Sequence, residues 1–159
     1  ADSLTFKSAS GYKIRPREVP SAGNRVWARF GTQELRLSSI PVSNSESPAI
    51  AWRVDVQGYT LVFTGDFNNQ KNQVARFSKN VDALVVTHAI PEISRGKLRD
   101  TYVLPSQIGR IAKQANARML ILGHRTNRTK GRESQSRQSI EKHYQEDIIF
   151  ADDMECWGL

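Results

Sequence analysis

The sequence predicts an α/β domain with a mixed β-sheet, and two features of its pattern carry that prediction. The first third holds several strand-length runs separated only by short turns, which is how antiparallel strands follow one another. In the remainder, apolar runs alternate with segments of helical spacing, the pattern of β-α units that feed parallel strands.

Residues 1–25 are polar and hold Pro16, Pro20 and Gly23, so an irregular arm is expected there, with the domain proper over 26–159. Segments 26–30 and 34–40 read as strands across Gly31-Thr32-Gln33, a hairpin spacing. Segment 49–56 alternates, with Ile50, Trp52 and Val54 on one side. Gln57-Gly58 reads as a turn, and 59–64 as a buried strand. A short helix is expected over 72–80, where Val74 and Phe77 have helical spacing, and an apolar strand over 83–87. Residues 88–104 read as a long loop with Pro91 and Gly96. Ser106 is the expected N-cap of a helix whose apolar face is Ile108, Ile111, Ala112 and Ala115. A buried strand over 118–122, a basic loop over 125–133, a helix over 133–144 with Ile140 and Tyr144 inward, and a strand over 147–151 complete the chain.

Composition narrows the classes. A chain of 159 residues is one ordinary domain or a piece of a larger one. No apolar run approaches the ~20 residues of a membrane-spanning helix. The single cysteine, Cys156, excludes an internal disulfide framework. The net charge of +7 suits phosphates, nucleic acid or an acidic surface. No aromatic residues interleave with the basic ones as a base-stacking platform needs, so nucleic-acid binding ranks last among the functions considered. The start, Ala1-Asp2-Ser3-Leu4, has neither a basic nor an apolar leader segment, so no export signal is expected in this chain.

Polar residues stand where strands end. Asp66 closes Thr64-Gly65-Asp66 after Leu61-Val62-Phe63, His124 follows Leu120-Ile121-Leu122-Gly123, and His88 follows Val85-Val86-Thr87. Asn44 lies in the loop before the strand that starts at Ala49. Strand termini converge on one rim of a sheet, where ligands bind, and a carboxylate beside an imidazole can hold a transition metal. Taken singly, an Asp after Gly is most often a turn residue and a strand-end His a hydrogen-bonded structural one. Arg125, Arg128, Lys130, Arg132 and Arg137 can meet an anion or form a solvated face. His143 is expected on the exposed side of the last helix.

In combination these segments resemble the metallo-β-lactamase superfamily of zinc-dependent hydrolases. The carrying residues are Ser47-Pro48-Ala49-Ile50-Ala51-Trp52-Arg53-Val54, Leu61-Val62-Phe63-Thr64-Gly65-Asp66, Ala89-Ile90-Pro91-Glu92, Pro105-Ser106-Gln107-Ile108-Gly109-Arg110-Ile111-Ala112, Leu120-Ile121-Leu122-Gly123-His124-Arg125 and Phe150-Ala151-Asp152-Asp153-Met154-Glu155-Cys156. The resemblance covers residues 26–159 and is to the C-terminal half of the family domain. It implies half of an αβ/βα sandwich, a mixed sheet with helices on one face. It also implies a zinc centre in which Asp66 matches the bridging carboxylate, His124 the late histidine ligand and Asn44 the place of the middle histidine, with His88 and Arg125 toward substrate. The His-x-His-x-Asp-His motif that supplies most family ligands is absent from this sequence. A half-domain therefore implies a partner, either a complementary N-terminal half or a second copy in a homodimer, and no hydrolysis by this chain alone. The alternative is a metal-free half-domain that dimerises or binds a partner. By the same resemblance, the bacterial cytoplasm and the periplasm are both open.

Overall fold

The computed structural model describes residues 18–159; the front of the expected arm, residues 1–17, lies outside them. Residues 18–26 contain no helix or strand. Among the described residues the order is β1 (Trp27–Gly31), β2 (Leu35–Val42), β3 (Ala49–Val56), β4 (Tyr59–Phe63), α1 (Val74–Phe77), β5 (Ala83–Thr87), α2 (Leu98–Thr101), α3 (Pro105–Ala115), β6 (Met119–Gly123), α4 (Glu133–Glu141) and β7 (Asp147–Phe150).

These strands form one sheet whose spatial order is the sequence order. β1 to β4 pair antiparallel, and β4 to β7 pair parallel. Right-handed crossovers between parallel neighbours taken in order place every connecting helix on the same face. Accordingly α3 packs against both α1 and α4. Val62, Leu84, Leu120 and Ile148 are register partners and form one row of the core under these helices. Ile108, Ile111 and Ala112 of α3 and Ile140 of α4 cover that row. α3 approaches α4 closely at Gly109, where a Cβ would stand 2.5 Å from the Ile140 carbonyl oxygen.

The opposite face of the sheet has no helix layer among the described residues. Register partners define its rows: Leu35–Val56–Tyr59, then Leu37–Val54–Leu61–Ala83–Met119, then Ser39–Trp52–Phe63–Val85–Ile121–Ile149. In β3 only Ala51, which joins the core, is buried, although most of the strand is apolar. Tyr59 and Phe63 are each 43% exposed and Leu35 is 40% exposed. The fold is thus a two-layer half with helices on one face and, on the other, an apolar sheet surface that is exposed at Leu35, Tyr59 and Phe63 and buried at Ser39, Ala83 and Ile121.

Local chemistry corrects several expected boundaries. Ser106 is not the N-cap of α3. Leu104 holds that position with Pro105 as the first helical residue, and the Gln107 side chain accepts from the Leu104 amide, 2.9 Å. Ser106 instead donates through both its amide and its hydroxyl to Glu92. The stretch read as a long loop contains the single turn α2. β2 runs to Val42, two residues beyond its expected end. α1 is shorter than expected, because Asn72 and Asn80 both adopt left-handed backbone and cannot continue a helix.

Candidate functional site

β2 and β4 both run antiparallel to β3, so they are parallel to each other and to β5 and β6. Asn44, Asp66, His88 and His124 therefore all leave the sheet at one edge. Alternation along the strands then sorts them by face. Thr87 shares the parity of Val85 and projects to the open side, while His88 falls among the helices.

Asp66 and His124 come together. His124 Nδ1 stands 3.2 Å from Asp66 Oδ1, with 54% and 31% of the two side chains exposed. Two tight turns deliver them. Gly65 has φ +61, and a Cβ there would meet the Ile50 carbonyl oxygen at 3.0 Å. His124 itself adopts φ +49, a left-handed conformation that costs a non-glycine residue energy and turns the imidazole back over the strand ends. Thr87 completes the group: its hydroxyl lies 2.9 Å from Asp66 Oδ1 and 3.1 Å from the Gly65 carbonyl.

Asn44 is beside this pair but faces elsewhere. Its Oδ1 accepts from the amides of Glu46, 2.8 Å, and Ser47, 3.3 Å, an Asx turn. Its Nδ2 donates to the Asp66 backbone carbonyl, 3.1 Å. Asn44 thus ties two loops together and offers no free donor atom to a metal. An open groove of ≈ 600 Å³ runs past it between Ser47, Asn68 and Lys71, without including Asp66 or His124.

Two expected substrate contacts are placed away from the rim. His88 is fully buried on the helix side, with Nε2 2.9 Å from Ser136 Oγ and its ring edge-on to Phe150. Burial, reinforced by the Arg125 guanidinium and partly opposed by Glu133, lowers its pKa to about 4. Arg125 is 9% exposed and its donors are engaged: Nε to the Ala151 carbonyl, Nη1 to Glu133 at 2.8 Å, and Nη2 to Asp152. It clasps the segment after β6 to the start of α4 and the end of β7.

Thr87 and Tyr102 are site residues that the sequence pattern did not single out. Tyr102 follows α2, and its ring packs edge-on to His124, 6.4 Å between centroids. The Asp100 carbonyl anchors this segment by accepting from the Ser45 amide and the Asn68 side chain. Burial and then the Asp66 and Glu46 carboxylates hold the Tyr102 phenol above its usual pKa, with Arg128 opposing. The signal for Thr87 was strand parity, hidden because 83–87 is apolar on both faces. Tyr102 came from a loop with no periodic pattern.

Zinc in a catalytic centre takes about three protein ligands with a position left open. Among the described residues no group of three His, Cys, Asp or Glu side chains comes together. Asp66 and His124 supply two donors and Asn44 none, so this chain's residues do not by themselves fit a zinc ion.

No protein-family model matches the sequence, and no curated protein matches it. Solved structures do match. The metallo-β-lactamase fold protein YhfI from Bacillus subtilis gives a TM-score of 0.70 at 21% identity, over 81% of this chain and 52% of its own. A Parabacteroides distasonis protein, provisionally named a metal-dependent hydrolase, gives 0.52 at 11% identity, over 77% of this chain and 54% of its own. Long form RNase Z from yeast gives 0.51 at 13% identity, over 60% of this chain and 14% of its own. Likeness at these identities is likeness of fold. The chain has half of a metallo-β-lactamase fold, and it spans about half the length of the first two structures.

Proposed function

We propose that this chain works as one half of a metallo-β-lactamase-fold hydrolase and does not hydrolyse anything alone. One observation carries the reading: the Asp66–His124 pair and the apolar sheet surface open on the same side. Thr87, which touches Asp66, continues the parity of Val85 on the uncovered face. A second sheet stacked there would bury the apolar rows and bring its own side chains to the incomplete donor pair. An apolar sheet face needs such a layer. The unmatched part of YhfI, slightly under half of that chain, is of the right size to be one. The occupant is thus a complementary N-terminal half, which supplies the missing zinc ligands. This account calls for no membrane and ranks nucleic acid last among partners.

A second reading has its own observation. Asn44, which by the sequence resemblance matches the place of a histidine ligand, is locked into a turn by three hydrogen bonds. A metal-free half-domain that pairs with a second copy of itself would keep such a turn.

Elemental analysis after zinc incubation and desalting, on protein of measured mass, separates the two. An assembly that retains zinc and loses it in Asp66→Ala and His124→Ala supports the first reading. An assembly that retains none and is indifferent to both substitutions supports the second. A chain that stays monomeric by itself refutes the second reading, and one that gains no zinc when mixed with its complementary N-terminal half refutes the first.

A further inference from the structure

We propose that the cleft between α1 and the end of α3 is an anion-binding site that takes a phosphate chain, a ligand carrying several linked phosphates. The proposal goes beyond the half-domain reading, because the cleft lies among the helices and needs neither zinc nor a second sheet.

The cleft is open, has a volume of ≈ 550 Å³ and is lined by Lys71, Asn72, Ala75, Arg76, Lys79 and Gln114. That volume is in the range of small-molecule sites. Three of these side chains are cations, two are neutral amides, and among the described residues no carboxylate lines the cleft. Ion pairs elsewhere engage Arg36, Arg53, Arg118, Arg125 and Arg137. Among the described residues Lys71, Arg76 and Lys79 enter none, and Lys71 makes only a long hydrogen bond to the Gly23 carbonyl, 3.4 Å. The carbonyls at the end of α1 do not offset these charges, because Arg53 donates to those of Phe77 and Lys79. Residues 1–17 hold Lys7, Lys13, Arg15 and Arg17 against Asp2, so that part of the sequence brings no surplus of carboxylates either. The counter-charge must therefore come from outside these 159 residues. A cleft lined by one sign of charge focuses the field and concentrates ions of the other sign.

Hydrogen bonds hold the frame that carries the cations. The Asn80 amide donates to the Ala115 carbonyl, 2.7 Å, and the Asn116 side chain to that of Asn80, 3.1 Å, which ties the end of α1 to the end of α3. At the other end the Asn72 amide closes a turn on the Asn69 carbonyl, 3.0 Å. The chemistry then selects among anions. Lysine meets phosphate as a point charge and arginine as a planar fork, and the amides of Asn72 and Gln114 add donors for further oxygens. Three separate cations suit linked charges better than one carboxylate. No aromatic side chain lines the cleft, so a nucleobase has nothing to stack on. The ligand is read through its phosphates alone.

The experiment is calorimetric titration of the chain with inorganic tripolyphosphate at low salt, with amide NMR to locate the binding. Saturable one-to-one binding is expected, with the largest shifts at Asn72, Arg76, Lys79 and Gln114. The double variant Arg76→Gln, Lys79→Gln is expected to bind about tenfold more weakly. The control, Arg128→Gln with Lys130→Gln, removes the same charge from the loop between β6 and α4 and is expected to change affinity by less than about twofold. All four side chains are exposed, so the folds should be spared, as the amide spectra will show. ATP is expected to bind as tightly as tripolyphosphate. Absence of saturable binding, shifts scattered over the basic surface, or equal weakening in the two double variants would overturn the site. ATP or a single-stranded oligonucleotide binding far more tightly than tripolyphosphate would overturn the ligand class. None of these outcomes touches the half-domain reading, which is decided by mass and zinc content.

Discussion

His88 should make this protein lose stability on acidification in a window that its surroundings define. The imidazole is fully buried, one nitrogen is bonded to Ser136, and Nδ1 has no partner among the described residues. Burial and Arg125 lower the folded-state pKa from 6.5 to about 4, against the partial opposition of Glu133. The unfolded chain, with an ordinary imidazole, therefore binds a proton first as pH falls. Below about pH 6.5 unfolding takes up protons that the native state refuses, and stability falls with pH until the native ring protonates near pH 4. A lowering of this size corresponds to about 3 kcal/mol, complete once pH is below both values and absent above neutrality. The perturbation is His88→Gln, which removes the ionisation and keeps a polar side chain toward Ser136. Urea unfolding of both proteins between pH 7.5 and pH 4 gives the assay, and their difference cancels the carboxylates that titrate in the same range. Wild type should lose about 3 kcal/mol more than the variant across the window. Parallel stability curves for the two proteins would refute the reasoning.

Further outcomes follow from single contacts. Gly109→Ala gains about 1 kcal/mol of helix propensity but drives a Cβ into the Ile140 carbonyl, so a net loss of about 1–3 kcal/mol is expected in urea unfolding; a stabilised variant would mean that α3 and α4 pack more loosely. Asn44→Ala removes the acceptor for the Glu46 and Ser47 amides and the donor to Asp66, with an expected loss of about 1 kcal/mol by thermal unfolding and no loss of helix signal. Tyr144→Phe leaves the Ala117 carbonyl without the buried hydroxyl that donates to it at 3.1 Å, and should cost about 1–2 kcal/mol by the same measurement. An unchanged midpoint in either variant would contradict the contact behind it.

The strands were legible because their signals are local. Gly31-Thr32-Gln33 and Gln57-Gly58 announced the hairpins, and the apolar runs at 83–87 and 118–122 could hardly be anything but buried strands. Asp66 and His124 were legible as strand-end residues, and the structure places them 3.2 Å apart. What sequence left open was side. The run 83–86 is apolar on both faces, so nothing in it says whether Thr87 or His88 faces the rim, and the more reactive residue type drew attention. Burial reverses that choice: His88 lies under α4 and Thr87 touches Asp66. Arg125 looked like an anion contact because its partners Glu133 and Asp152 are 8 and 27 residues away in sequence. Ser106 looked like a cap because serine commonly is one, but Pro105 needs the first helical position and moves the cap back to Leu104.

The central claim is that the apolar face of β2–β6 is a docking surface, and the most direct measurement is the mass of the purified chain by light scattering across concentration. Phe63→Lys places a charge in the middle of the longest row on that face, at a residue already 43% exposed, where it should spare the fold. Without its complementary half the open apolar face is expected to self-associate, so the purified wild-type chain should run above its 17.9 kDa monomer mass at tens of micromolar. The Phe63→Lys chain is expected to return to monomer with unchanged circular dichroism. A monodisperse wild-type monomer at every concentration, with no binding of a hydrophobic dye, would contradict the account.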